Sequence, residues 1–377
     1  MISISNKRLT LALLLASSSY SFYSSFCSVA LAMDQITRPY QSVRSFGMGG
    51  TKITNGLYDD NFFGNPARVV ANPTSKFTFI EMTPIDINTR TLNAVSAISA
   101  NPSNAIANLA GNNLHERFEL VTPAYYLAAT GERKFALAFG MLSSVQIDIN
   151  LRQSYRLNLG AVADAGPALT LGYKLLHDDA LAIGLTTHLS YRVSTSPNYS
   201  LMDYLAGSGP SLTSLAGQGS MVDFDFGGTY QLTQIKDFDI TLGAAIQNLL
   251  GGDYSNLSLL PLGFASGPVT QPRSYGVGIA ATRAVWGSFT YTSLALEASD
   301  ILNNRDGSIF RLIHIGAETR WHSIIARLGL NQGYFTAGLG LDFRFLTLNF
   351  ATYGEELGLN VGTYEDRRYA FSLGLHF

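Results

Sequence analysis

The sequence predicts an all-β fold, a transmembrane antiparallel β-barrel of about 14 strands with an N-terminal plug segment, and three observations predict it. Segments of about ten residues that alternate apolar with small or polar side chains recur along the whole chain, the signature of strands that face lipid on one side and a lumen on the other. Beyond residue 32 no apolar stretch approaches the roughly 18 residues that a membrane helix needs. The connections are alternately long and short, so that the long ones fall on one side of the sheet. A closed barrel is the β-architecture that can cross a bilayer, because closure satisfies every backbone N–H and C=O within the sheet.

The first residues set the compartment. Lys7 and Arg8 precede the apolar run Leu9 to Ala16, a Ser-rich stretch follows, and Ala30-Leu31-Ala32 ends it, the layout of a cleavable secretory signal. Residues 1–32 are therefore expected to be removed. A lipoprotein reading through Cys27 is disfavoured by the bulky Phe26 before it. Cleavage also removes Cys27, the one cysteine in the chain, which excludes thiolate-bound zinc, haem and iron–sulfur chemistry. No metal or other cofactor is expected. A net charge of -2 with 14% charged residues gives no basic surface for nucleic acid.

Residues 33–72 are too apolar at Phe46, Met48, Leu57, Phe62 and Phe63 to hang in water and too irregular for a lipid-facing strand, so they are expected to plug the barrel formed by residues 73–377. Strands are expected at about 75–90, 116–128, 133–148, 167–176, 181–193, 220–231, 238–248, 273–282, 287–299, 310–320, 323–331, 333–342, 345–354 and 368–377. The third shows the pattern plainly. Phe135, Leu137, Phe139, Met141, Val145 and Ile147 share one phase, and Ala136, Ala138, Gly140, Ser144, Gln146 and Asp148 the other. In 287–299, Phe289 and Tyr291 lie in one phase and Leu294 and Leu296 in the other, which predicts a bulge. The long connections are expected at about 91–115, 149–166, 194–219, 249–272, 300–309 and 355–367, with short helices at Leu92 to Leu109 and Leu205 to Leu215. A soluble β-sandwich would need a wet, charged polar face, whereas here that face is mostly Gly, Ala, Ser and Thr.

In the last segment Tyr369, Phe371, Leu373, Leu375 and Phe377 share a face opposite Arg368, Ala370, Ser372, Gly374 and His376. An aromatic at the end of such a strand resembles the signal read by the barrel-assembly machinery of bacterial outer membranes, which together with outer-membrane lipid is an expected partner. The charges on the polar phases, Arg192, Asp223, Asp225, Glu318, Arg320, Arg327, Asp342 and Arg344, are expected to pair in the lumen, since opposite charges in a low-dielectric interior have to. His188, His314 and His376 also fall on polar faces, as does Ser190. No motif brings a nucleophile and a base together, so an enzyme is not expected.

Near the start stand Gly47-Met48-Gly49-Gly50, the acidic pair Asp59-Asp60, and Asn65-Pro66-Ala67. The glycine cluster lacks the Lys-Ser/Thr ending and the βαβ setting of a nucleotide-binding loop. Taken in order, these three pieces resemble the opening of FadL-like outer-membrane barrels, which include long-chain fatty acid transporters and PorV-like and TraF-like proteins. Ala245 to Leu249 with Gly251-Gly252, Ile315 to Glu318, Arg327 to Asn331 and Thr336 to Gly340 add to the resemblance, which covers about 44–67 and 220–377. It implies a plugged barrel in the outer membrane of a Gram-negative bacterium, for uptake of small hydrophobic molecules. The PorV-like and TraF-like members imply the alternative, a docking barrel of a secretion or conjugation complex. The plug and the small-residue lumen disfavour a general porin.

Processing at Ala32 predicts a mature protein that begins at Met33 and has no thiol. Intact-mass analysis of membrane-extracted protein, with and without an alkylating agent, should show that mass and no adduct; a mature chain that retains Cys27 would contradict the assignment.

Overall fold

The alternating residues pair into one closed ring of antiparallel strands. The computed structural model describes residues 40–72, 74–88, 114–128, 134–151, 156–176, 179–195, 198–200, 216–232, 235, 237–255, 267–302, 308–343, 345–356 and 360–377. The signal at 1–32, the leading residues 33–39 and the two expected loop helices lie outside these. All described residues belong to the unit Ile36–Phe377, and among them no helix is long and apolar enough to cross a membrane.

In chain order the strands are β1 (Lys76–Asn88), β2 (Leu114–Leu127), β3 (Phe135–Leu151), β4 (Arg156–Leu175), β5 (Leu181–Thr195), β6 (Asn198–Ser200), β7 (Ala216–Gln231), β8 (Asp239–Gln247), β9 (Ser274–Arg283), β10 (Tyr291–Ala298), β11 (Ile313–Trp321), β12 (Ile324–Asn331), β13 (Tyr334–Asp342), β14 (Leu346–Glu356) and β15 (Glu365–His376). The short β6 prolongs β5 along the same edge of β4, with Ala161 opposite Thr195 and Asn158 opposite Asn198. The two make one stave, and the barrel has fourteen. β1 pairs with β15 and β3 with β4, which closes the ring. The outward phase carries the apolar side chains: Phe135, Phe139, Met141 and Leu171 are exposed, while Ala136, Ala138, Thr170 and Gly172 between them are buried.

The wall has two heights. β2 to β5 and β7 run for 14 to 20 residues, whereas β8 to β13 have 8 to 10. With a rise of about 3.3 Å per residue and a tilt of about 40°, nine residues climb about 23 Å, close to the apolar band of a bilayer, and twenty climb about 50 Å. The tall side therefore stands clear of the membrane at the end of the long connections. At the short-turn end Trp286, Phe289, Trp321, Phe343, Phe345 and Phe377 are all exposed, forming an aromatic belt of the kind that sits at a membrane interface.

Three expectations need correction. Residues 149–166 are not a long connection, since β3 continues to Leu151 and β4 starts at Arg156 with an unbroken ladder between them. The outward phase there is Ala161, Ala163 and Ala165, too short in side chain to register as an apolar stripe. The segment 287–299 has no bulge. Trp286 to Phe289 form a turn, and β10 then pairs in continuous register with β9 and β11, so the break in phase marks where a turn becomes a strand. Residues 310–312 belong to a 3-10 turn, Ile309–Leu312, ahead of β11. Irregular pairing occurs instead in β1, between Thr78 and Ile80 and between Met82 and Ile85 against β15, and between Thr78 and Thr83 against β2. Pro84 and Pro123, which have no N–H for a ladder, lie in these stretches.

β15 is paired on both edges, so Tyr369, Phe371 and Leu373 face outward from a closing stave. Phe377 exchanges backbone hydrogen bonds of 2.9 and 3.1 Å with Phe77, and its ring lies 5.9 Å from that of Phe345. Phe377→Ala should lower the yield of folded barrel without stopping export, read as loss of the heat-modifiable band on semi-native gels. Unchanged yield would remove any assembly role from this ring.

Candidate functional site

Residues 40–72 fold inside the barrel as three short pieces joined by tight turns: α1 (Val43–Gly47), α2 (Asp59–Phe63) and a 3-10 turn, Pro66–Ala71. Ser42 caps α1, its Oγ accepting from the Ser45 N–H at 3.0 Å. Asn65 caps the 3-10 turn by accepting from the Ala67 N–H at 3.0 Å, and Pro66 at the first position costs no donor. The side-chain amide of Asn65 donates to Ile53 O at 2.9 Å and to Gly228 O of β7 at 3.2 Å, so the same residue ties two plug turns to the wall.

The wall is made of small residues where the plug meets it. A Cβ added at Gly172, Gly184, Gly227, Gly276, Gly316 or Gly329 would lie closer than 3.0 Å to plug atoms. Plug atoms thus pack directly on the wall backbone at these six positions. Gly49 and Gly50 have φ of +67° and +92° and press against the β11 and β12 backbones and His314, a turn that only glycine fits without strain. Phe46 stacks on Tyr353 at 4.0 Å between centroids.

Charge pairing fixes the docking. Arg44 of α1 donates from Nε and Nη2 to the two oxygens of Glu318, each at 3.0 Å, and from Nη1 to Asp60 at 3.0 Å. Arg327 donates to Glu318 at 2.7 Å and to Asn349 at 3.0 Å, and Asn349 donates on to Ser372 at 3.2 Å. Two guanidinium groups and two carboxylates alternate in this chain. All four residues are buried, and such pairing offsets the desolvation of each. Tyr40 donates to Asp59, and Ser42 to Asp60 at 2.6 Å. Burial pushes the Asp59 carboxyl up from 3.8 to about 6, with nearby Glu81 adding to it; burial does the same at Asp60, with Asp59 adding to it.

A second anchor is Glu297 of β10, which sequence reading did not single out. Its carboxylate accepts three successive backbone N–H groups of the plug, Lys52 at 2.8 Å, Ile53 at 3.0 Å and Thr54 at 2.7 Å, and the Thr54 hydroxyl at 2.6 Å. It is an anion in a nest of backbone donors. A lone acid on the lumen phase of a short strand, with no basic partner nearby in sequence, is the signal that could have found it. His314 completes the set, its Nδ1 2.8 Å from Gly49 O and its Nε2 2.8 Å from the Ser299 hydroxyl.

The eight charges expected to pair in the lumen fall into separate groups. Glu318 pairs with Arg327 and with Arg44 of the plug. Arg320 pairs with Asp342 at the short-turn end, and Arg344 lies outside the described residues. Arg192 is held by Asp164, with two contacts of 2.7 Å, and by Gln271 at 2.9 Å. Among the described residues Asp223 and Asp225 pair with no arginine: Asp225 lies 3.4 Å from His188 Nε2 and accepts the Asn248 N–H, and Asp223 accepts the N–H groups of Phe224, Leu250 and Gly252, so the two shape the turn after β8. An exposed turn needs its backbone donors satisfied, and two inward carboxylates at the rim do this.

On the long-connection side of the plug, β3, β4, β5 and β7 leave a narrow cleft of about 30 Å³ that opens to solvent. Phe63, Leu142 and Met221 line it together with His188, Asp225 and Gln271.

Removing Glu318 would leave Arg44 and Arg327 buried without their shared partner, a loss of about 3–5 kcal/mol. Glu318→Ala should therefore accelerate amide exchange of residues 44–60 by two or more orders of magnitude while the strands stay protected. Unchanged exchange would mean that the ion pairs do not hold the plug.

No family model matches the sequence, and no curated protein matches it. Solved structures do. The toluene transporter TbuX of Ralstonia pickettii is 12% identical, with 89% of this chain and 97% of that chain covered at a TM-score of 0.52. A deletion mutant of TodX, described as a monoaromatic hydrocarbon channel, is 13% identical, with 89% and 98% covered at a TM-score of 0.51. At such identity the likeness speaks for the fold alone: this chain closes fourteen staves into a barrel of the architecture these two share.

Proposed function

We propose that the protein is an outer-membrane channel through which small hydrophobic molecules enter a Gram-negative cell, with the short turns in the periplasm and the tall wall outside. The observation that carries this reading is the plug. Among the described residues the plug packs closely on the wall across the lumen, which disfavours a general porin. A solute has to be taken up on the outer side of the plug and passes when the plug shifts. The cleft beside Phe63 lies on that side, lined by apolar and polar side chains alike. TbuX and TodX, whose architecture the chain shares, are described as a toluene transporter and a hydrocarbon channel, which supports extending the same class of cargo to this protein. No catalytic step is assigned to it. Its expected partners are outer-membrane lipid and the barrel-assembly machinery.

Deleting residues 33–72 should turn a poorly conducting barrel into an ion-conducting one, because fourteen strands enclose a lumen that side chains alone do not fill. Single-channel recordings in planar bilayers check this, alongside uptake of toluene into proteoliposomes by the intact protein. Equal, large conductance with and without the segment would overturn the plugged-channel reading. A closed barrel that takes up no hydrophobic solute would favour a docking role in a secretion or conjugation complex.

A further inference from the structure

The cleft outside the plug is unlike a hydrocarbon site in one respect. Half of what lines it is polar, and His188, Asp225, Asn248 and Gln271 are each more than nine-tenths buried. Their hydrogen bonds to the protein use only part of their capacity. Asp225 Oδ1 accepts the Asn248 N–H at 2.8 Å and lies 3.4 Å from His188 Nε2, which leaves Oδ2. Gln271 gives its carbonyl oxygen to Arg192, which leaves its amide N–H groups. Gln247 donates to Phe63 O, which leaves its carbonyl oxygen.

From this arrangement we propose that the cleft selects small neutral molecules with an apolar body and a hydroxyl group, phenols or alcohols, over the bare hydrocarbons, and that Asp225 and His188 read the hydroxyl. The inference rests on the channel reading above and narrows its substrate class. A hydrocarbon filling the cleft would displace water from buried donors and acceptors and return nothing to them, which is the costly outcome for a polar site. A hydroxyl gives a donor to the Asp225 carboxylate and an acceptor to a neighbouring N–H, while Phe63, Leu142 and Met221 receive the ring or alkyl body. Charge argues against an acid. Arg192 is already committed to Asp164 through both oxygens, so a carboxylate ligand would meet Asp225 with no free guanidinium to offset it. Sites built to hydrogen-bond a hydroxyl reject the analogue without one far more strongly than apolar pockets tell methylenes apart.

Three probes of one shape separate the possibilities: p-cresol, toluene and p-toluate, each measured by equilibrium dialysis against the purified full-length protein and by uptake into proteoliposomes. Expected is binding of p-cresol at least about tenfold tighter than toluene, with p-toluate weakest. Asp225→Asn, which keeps an oxygen for the Asn248 N–H, and His188→Leu should each bring p-cresol to within about twofold of toluene, with heat-modifiable mobility confirming the barrel. Toluene binding as tightly as p-cresol, p-toluate binding best, or a cresol preference unchanged in both variants would overturn the proposal. If all three solutes enter vesicles without preference, the selectivity fails and the channel stands. If none binds or enters, both fail.

Discussion

A backbone in hydrocarbon has no water to bond, and everything in this structure follows from that constraint. Each strand that meets lipid must find partners for its N–H and C=O groups on both edges, and the ladder between β1 and β15 supplies the last of them. Closure in turn sets a lumen, and fourteen staves leave one wide enough to demand filling. The plug is the answer to the second problem. It could not be made of more wall side chains, because the inward phases are mostly Gly, Ala, Ser and Thr, and that choice is what lets a folded segment lie against the strands.

Small residues on the wall and charge in the lumen work together. Close contact at Gly184, Gly316 and Gly329 keeps water from those faces of the plug, and exclusion of water makes each unpaired polar group expensive. The Arg44, Glu318 and Arg327 chain and the Glu297 nest are the compensation. The plug is therefore held by directional contacts as well as by shape, and it spans the lumen: α1 seats against β12 to β15, and the 3-10 turn against β3 to β7. The Arg44 to Asp60 pair joins α1 to α2, which packs on the 3-10 turn.

Much of the fold was legible because a period of two is hard to disguise when one face meets lipid. The strands lost to the eye were those where the outward residues shrink, as at Ala161, Ala163 and Ala165, or where a turn carries aromatics in the wrong phase, as at Phe289. The site was less legible. That Gly49 and Gly50 make a tight path could be read from their type. That Arg44 meets Glu318 could not, because the two are 274 residues apart and any inward arginine could have been the partner. Asp223 and Asp225 sit on the same phase as other lumen residues, yet their height on the tall wall puts them beside a turn, and height along a stave is set by shear, which no local pattern records.

The fold depends most on the plug being enclosed within the barrel. Because the mature chain is expected to have no cysteine, single thiols can report on this cleanly. Ser45→Cys places one inside α1, where the wild-type side chain is fully buried, and Val285→Cys places one in an exposed turn. Labelling of the folded protein with a membrane-impermeant maleimide should be fast at 285 and slower by orders of magnitude at 45, with 45 reacting only when the barrel is unfolded. Equal labelling rates at the two positions would mean that the segment does not dock in the lumen and that the barrel is not plugged.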